Sequence, residues 1–409
     1  MNRSLVPGTL GRVDTQRKIS TIAIFGSTGS IGRSTLEVVR RSSGRLSVEC
    51  LVFGENYDLA LEQIKEFSPK YVGTSSVSVA QKLSQVLSSE IKVVVGESEI
   101  SALIKELNSE CIVAGIVGVA GLRYVIEGLR ANKRIALANK ESLVAAGAFV
   151  SEVLNSTKSE IIPVDSEHSA LFQCLSRVTR SDLSSLILTA SGGPFWSVAK
   201  ERFPGITPQE AVRHPRWSMG AKISIDSATL FNKGLELIEA YWLYGVSQSQ
   251  IEVVVHRQSI VHSIVRLVDG TQLAQLSLPD MNGAISYAIT YPGDRLPNVV
   301  EQLDWEKVGT LTFEKLDDER FPAVKLARQA LDNPRLSPLV YNISNEIAVA
   351  LFQRGALRFS DIPTFVEFCL ERFSAKLVTN LSDVFALNEE ILRSADQLCQ
   401  IYREKVIWV

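Results

Sequence analysis

The chain has 409 residues and a mass of 45.0 kDa, with 43 basic and 45 acidic side chains, a formal charge of −2 and 45% apolar residues. At roughly 150 residues per domain, this length holds two or three domains, each with its own core. The near-neutral charge excludes a protein built to coat nucleic acid or an anionic membrane, and the longest clean apolar stretch, Cys111 to Leu122, is too short and too glycine-rich to span a bilayer.

Residues 1–18 carry Arg3, Arg12, Arg17 and Lys18 against Asp14 and lack the apolar core of a secretory signal, so they read as a disordered tail. Residues 19–164 alternate strand and helix. Apolar runs at Thr21–Phe25, Val48–Phe53, Val93–Val95, Cys111–Val119 and Ile135–Leu137 read as buried strands, and helices fall at Ser30–Arg41, Tyr57–Phe67, Ile100–Leu107 and Leu122–Ala131. Such alternation implies a parallel sheet covered on both faces, hence an α/β, Rossmann-like doubly wound domain at the N-terminus.

Residues 165–300 form a central α+β domain. Strands are expected at Lys222–Ile225, Glu252–His256, Ser263–Val268 and Gln272–Leu276, with Asp269-Gly270 as a hairpin turn and a helix over Asn232–Tyr244. A polar connector, residues 301–321, leads to a helical C-terminal domain, residues 322–409, with helices over Val324–Leu331, Tyr341–Phe352, Ile362–Phe373 and Val384–Tyr402. Cys50, Cys111, Cys174, Cys369 and Cys399 are odd in number and form no CxxC pair, which points to a reducing compartment without structural disulfides.

The first strand runs into Gly26-Ser27-Thr28-Gly29-Ser30-Ile31-Gly32 and then a helix. Glycines here let the backbone turn tightly and approach a pyrophosphate, whose charge the helix N-terminus favours. The second strand ends at Gly54-Glu55-Asn56, where such a fold reads the adenosine ribose. A carboxylate there hydrogen-bonds a 2′-hydroxyl and repels a 2′-phosphate, so Glu55 by itself leans toward NAD; the bland alternative is a solvated acid.

Pro163-Val164-Asp165-Ser166-Glu167-His168 is the sharpest local signal. At a strand end, the period of two puts Asp165 and Glu167 on one face. Adjacent carboxylates repel unless one is protonated or a cation lies between them, and an oxygen-rich pocket suits Mg²⁺ or Mn²⁺. A DxE pattern also occurs in solvated turns. A third acid comes from Asn232-Lys233-Gly234-Leu235-Glu236 or from Glu239 one helical step on, and spacing does not choose between them. Ser227, Asn232 and Lys233 supply phosphate donors.

Ser191-Gly192-Gly193-Pro194 and His214-Pro215-Arg216-Trp217-Ser218-Met219-Gly220 bracket a loop, about residues 191–221, that reads as a lid or as a structural loop with a packed tryptophan. All four histidines (His168, His214, His256, His262) lie in the middle of the chain; His256 and His262 read as hydrogen-bonded strand residues. GxSxG, HExxH and CxxC spacings are all missing, which excludes the usual serine-nucleophile and zinc arrangements.

Taken in order, GSTGSIG, Ala138-Asn139-Lys140-Glu141-Ser142, PVDSEH, ASGGPF, HPRWSMG, DSATLFNKGLE and LPDM resemble the 1-deoxy-D-xylulose 5-phosphate reductoisomerase family, from about Ile19 into the C-terminal helices. The resemblance implies an NADPH-dependent oxidoreductase that uses Mg²⁺ or Mn²⁺ to isomerise and reduce 1-deoxy-D-xylulose 5-phosphate to 2-C-methyl-D-erythritol 4-phosphate in isoprenoid synthesis. It also implies a homodimer, joined through the central catalytic domain. The absence of a presequence adds the expectation of a cytoplasmic location.

By motif, the resemblance makes Asp165, Glu167 and Glu236 the metal ligands, choosing Glu236 over Glu239. Ser191, Ser227, Asn232 and Lys233 would hold the phosphate; Lys140, Ser166 and His214 would contact the rest of the substrate, with Trp217 and Met219 on the lid. Lys140, Glu167, His214 and Glu236 are thus the catalytic set. Thr28, Gly29, Ser30, Ile31, Gly54, Glu55, Asn56, Asn139, Glu141 and Gly220 match cofactor positions. The chain departs from the family pattern at Glu55, where Lys or Arg is frequent, and at Arg216, Arg257 and Asn282-Gly283-Ala284. Two other readings are a dehydrogenase of another phosphorylated substrate and a non-catalytic dinucleotide-binding regulator.

Overall fold

Seven short apolar segments build the first sheet: β1 (Thr21–Phe25), β2 (Ser47–Phe53), β3 (Tyr71–Thr74), β4 (Lys92–Val95), β5 (Cys111–Ala114), β6 (Arg134–Leu137) and β7 (Glu160–Pro163). This computed structural model describes residues 4, 5, 19–213 and 220–407. The strands lie in the order β4-β3-β2-β1-β5-β6-β7, and every neighbouring pair is parallel. Strands β5 and β6 are buried at every residue, as sheets with helices on both faces require. The order reverses between β1 and β5, which opens a crevice at their C-terminal ends where open α/β sheets receive ligands.

The glycine turn follows β1 directly. Gly26 has φ +95°, and a Cβ there would lie 2.7 Å from the Gly115 carbonyl oxygen, so only glycine lets the exits of β1 and β5 pass each other. The helix Ser30–Arg41 then starts with Gly29 as its N-cap.

A second sheet contains β8 (Leu183–Ala190), β9 (Ile251–Val255), β10 (Val261–Leu267), β11 (Gln272–Leu276) and β12 (Glu314–Lys315), in the order β11-β10-β8-β9-β12. Only β8 and β9 pair in parallel among these strands. Between the two sheets runs the helix Phe231–Tyr244, whose side chains are almost all buried. Helices Ala323–Ala330, Ser337–Gln353, Asp361–Arg372, Leu381–Arg393 and Ala395–Ile407 close the chain, and Ser337–Gln353 is buried along most of its length. Among the described residues no helix is long and apolar enough to cross a membrane.

Several local expectations change. The stretch expected as a strand at Lys222–Ile225 is part of a helix, Ala221–Ala228. Its K-I-S-I alternation imitates a strand, but Lys222 and Asp226 meet at 2.7 Å, one helical turn apart. The run Cys111–Val119 is a strand only as far as Ala114, because Gly115 and the positive-φ Gly118 turn the chain away. The segment Val384–Tyr402 is two helices, divided at Ser394, whose hydroxyl donates to the Ile391 carbonyl. Within the segment read as a disordered tail, Leu5 is buried and its amide donates to the Leu243 carbonyl at 2.8 Å.

Candidate active site

The acids converge from helix starts rather than from a strand face. Asp165 follows β7 as the N-cap of the helix Ser166–Leu175 and accepts the Ser166 amide at 3.0 Å; Glu167 is in that helix's first turn. The period-2 geometry expected for this pair is therefore replaced by a helix N-terminus, whose dipole favours both carboxylates. Glu236 sits one turn beyond Asn232 and Lys233 on the helix Phe231–Tyr244, so the three side chains share a face. One oxygen from each of Asp165, Glu167 and Glu236 falls within 4.8 Å of the others.

Two lysines hold this cluster together. Lys140 opens the helix Lys140–Asn155 after β6, where the Asn139 side chain caps the Ser142 amide at 2.7 Å. Its ammonium lies 2.5 Å from Asp165 Oδ2, 3.0 Å from Glu236 Oε1 and 2.9 Å from Asn232 Oδ1. Lys233 reaches Glu167 Oε1 at 2.8 Å and also bonds Glu236, while the Ser166 hydroxyl donates to Glu167 Oε2 at 2.6 Å.

Burial favours the neutral form of every group here, and the neighbours decide the outcome. Burial and the charge of Glu167 raise the Glu236 carboxyl, and burial raises Asp165 despite Lys140 beside it. Burial also works against ionised Glu167, but Lys233 and Ser166 hold it down to about 2. Lys140 remains protonated because Asp165 and Glu236 outweigh its desolvation. Three carboxylates and two ammonium groups leave an excess of negative charge. An all-oxygen donor set of this kind fits a hard divalent cation such as Mg²⁺ or Mn²⁺.

The phosphate candidates border the acids. Ser191 follows β8, and the chain then turns through Gly192 and Gly193 at φ +78° and +67°. A Cβ on Gly193 would lie 2.6 Å from the Ser227 carbonyl oxygen, so this turn rests directly against Ser227. Ser191, Ser227, Asn232 and Lys233 line one cleft of about 1000 Å³ together with Lys140, Asp165, Ser166, Glu167 and Glu236. Gly29, Ser30, Ile31, Asn139, Glu141 and Gly220 line the same cleft. Thr28, Gly54, Glu55 and Asn56 are not on the lining; they lie beyond it, on the turns that follow β1 and β2. His214, Arg216, Trp217 and Met219 fall outside the described residues.

Sequence reasoning did not single out Lys222, Asp226 and Glu346, which also line the cleft. Asp226 is buried between Lys222 and the Asn345 amide, which donates to it at 2.7 Å. The i,i+4 spacing of Lys222 and Asp226 is the signal, masked by the strand reading. His262 lies on β10, bonded to the Ser277 hydroxyl at 2.9 Å, and borders the cleft as well. Glu239, the alternative third acid, is fully buried, 3.0 Å from His168 Nε2.

A parallel nucleotide-binding sheet whose C-terminal crevice opens onto an acid cluster defines a class, that of oxidoreductases with a separate metal-binding catalytic region. Within that class, the chain belongs to the 1-deoxy-D-xylulose 5-phosphate reductoisomerase family. Family profiles match residues 22–147 (1-deoxy-D-xylulose 5-phosphate reductoisomerase), 161–244 (its C-terminal domain) and 276–394 (DXP reductoisomerase C-terminal domain).

The 1-deoxy-D-xylulose 5-phosphate reductoisomerase of Prosthecochloris aestuarii is 44% identical over 371 residues, covering 90% of this chain and 97% of the relative. That of Chlorobium phaeobacteroides BS1 is 45% identical over 369 residues, 90% and 96%. A crystal structure of DOX-P reductoisomerase with NADPH, fosmidomycin and magnesium superposes with a TM-score of 0.89 at 36% identity, covering 94% of this chain and 99% of that one. The Zymomonas mobilis enzyme with NADPH gives 0.85 at 37%, covering 93% and 99%.

Proposed function

We propose that the protein catalyses the NADPH- and divalent-metal-dependent isomerisation and reduction of 1-deoxy-D-xylulose 5-phosphate to 2-C-methyl-D-erythritol 4-phosphate, a step in isoprenoid precursor synthesis. The observation that carries this reading is the cluster of Asp165, Glu167 and Glu236 with Lys140 and Lys233, set at the ligand crevice of a dinucleotide sheet. When bound, the cation supplies Lewis acidity for the carbon-skeleton rearrangement, and the nicotinamide supplies the hydride.

The chain's own residues do the rest. Asp165, Glu167 and Glu236 hold the cation. Lys233, Asn232, Ser191 and Ser227 bind the phosphate and so fix the substrate's position, which converts binding energy into orientation. The Lys140 ammonium, held protonated by its acids, stabilises negative charge developing on substrate oxygens. Ser166 orients Glu167. The family motif assigns His214 to substrate contact and Trp217 and Met219 to a lid that excludes water. Thr28 to Ile31, Gly54 to Asn56, Asn139, Glu141 and Gly220 position the dinucleotide.

The proposed division is 19–164 for the dinucleotide, 165–300 for catalysis and dimerisation, 301–321 as connector and 322–409 as helical domain. The homodimer is supported by β11, an edge strand on which Leu273 is exposed, which suits pairing with a second copy. Five cysteines without a disulfide suit a reducing compartment, in keeping with a cytoplasmic location.

NADPH oxidation in the presence of the deoxyxylulose phosphate tests the function. The expected result is turnover with Mn²⁺ or Mg²⁺ that disappears with a chelator and returns on adding metal; no metal-dependent turnover overturns the reading. Light scattering on a size-exclusion column checks the dimer.

A further inference from the structure

The adenosine end of the crevice is formed by three turns, residues 26–30, 54–57 and 74–76, which follow β1, β2 and β3. Glu55 is the one charged side chain in these turns. Its residue is exposed at the tip of the turn after β2, while its own carbonyl accepts the Tyr57 amide at 2.8 Å. The helix that begins at Tyr57 offers little to a further anion. Asn56 already caps it by accepting the Leu59 amide at 3.3 Å, and Asp58 adds negative charge to its first turn. On the neighbouring turn, the Thr74 hydroxyl is engaged, donating to the Gly54 carbonyl at 2.6 Å and accepting from the Ser76 amide. Arg33 and Lys82 stand in the helices after β1 and β3, with the Lys82 ammonium placed 5.9 Å over the Tyr57 ring.

A carboxylate after the second strand accepts a hydrogen bond from an adenosine ribose hydroxyl and repels a 2′-phosphate. We propose that Glu55 is a specificity-determining residue that lowers this enzyme's discrimination between the cofactors, so that NADH binds within about thirtyfold of NADPH. This rests on reading the crevice as a dinucleotide site. For charges about 6 Å apart in a water-like dielectric, repulsion changes a binding constant by a factor of about three per charge pair, hence about tenfold against a doubly charged phosphate. Salt screens the effect, so low ionic strength shows it best.

The test is equilibrium binding of NADPH and NADH to the full-length protein, without sugar phosphate, followed by nicotinamide fluorescence. The wild-type chain is compared with Glu55→Gln and Glu55→Lys, exposed substitutions that leave the core untouched. NADH is expected to bind the wild type within about thirtyfold of NADPH. Glu55→Gln should raise the NADH-to-NADPH ratio of dissociation constants by at least about threefold, and Glu55→Lys by more, mainly by tightening NADPH. A wild-type ratio above that limit, or a ratio that both substitutions leave within threefold of wild type, overturns the role of Glu55 while leaving the proposed reaction standing. Failure of the wild type to bind either nucleotide overturns the dinucleotide reading itself, and the role of Glu55 with it.

Discussion

His168 Nε2 stands 3.0 Å from Glu239 Oε2, with neither side chain exposed to solvent. The two residues belong to the helices Ser166–Leu175 and Phe231–Tyr244, which also carry Glu167 and Glu236. The pair thus ties together, from behind, the two helices whose front faces bear the acids. Removing Glu239 strands an imidazole in the core. Glu239→Ala is expected to cost about 3–5 kcal/mol, read as a lower denaturant midpoint at unchanged slope, and Glu239→Gln to cost less because its amide still offers a hydrogen bond. Equal midpoints for wild type and Glu239→Ala would show that the pair does not join these helices.

Glu167→Gln removes one charge from a crowded cluster without changing its shape. Folding should survive, with a melting temperature within a few degrees of wild type. Turnover should drop by about a hundredfold or more, because the cation loses an anionic ligand and Lys233 a partner. Near-normal turnover at saturating Mg²⁺ in this variant would remove Glu167 from the metal site.

Gly193 is tested by a single methyl group. At φ +67°, with the Ser227 carbonyl oxygen 2.6 Å from the position of a Cβ, Gly193→Ala must strain the turn and push Ser191 away from Ser227. A loss of about 1–3 kcal/mol in stability and a higher KM for the sugar phosphate are expected, measured by denaturation and steady-state kinetics. Gly205→Ala, where nothing lies within 4 Å, is the matched control and should leave both unchanged.

The imidazole of His256 makes stability depend on pH. Its Nδ1 donates to the Thr312 carbonyl at 2.8 Å and its Nε2 accepts the Ile260 amide at 3.2 Å, an arrangement available only to the neutral ring. Burial lowers its pKa below the ordinary 6.5, and the Thr312 carbonyl only partly opposes this. A folded-state value below the unfolded one means that the contribution is present above about pH 6.5 and is lost as pH falls through the lowered value. Melting temperature should therefore fall more steeply between pH 7 and 5 in wild type than in His256→Asn. Parallel profiles would exclude the histidine as a source of acid sensitivity.

The turn Gly26–Gly32 and the helix from Ser30 are legible in sequence because their causes are local: glycine backbone freedom, an apolar strand before and a helical period after. The same logic fails at Lys222–Ile225, where alternation suits a strand and only the contacts of Asp226 with Lys222 and Asn345 select a helix. It fails again at Asp165 and Glu167, whose convergence depends on a helix that begins between β7 and the acids' targets. Strands β3 and β7 escape because Gly73 interrupts one and Glu160 and Pro163 flank the other, leaving only two adjacent apolar residues in each.

By itself, then, the sequence determined the alternation that makes a parallel sheet, the position of the phosphate-type turn and the residue types available for an oxygen-rich metal centre, since each follows from near neighbours along the chain. Only the tertiary structure decided which acids meet. Glu236 and Glu239 lie one turn apart on one helix, yet one faces Lys140 and Lys233 in the cleft and the other faces His168 in the core. That difference is a matter of helix rotation against partners far away in sequence, and no local pattern contains it.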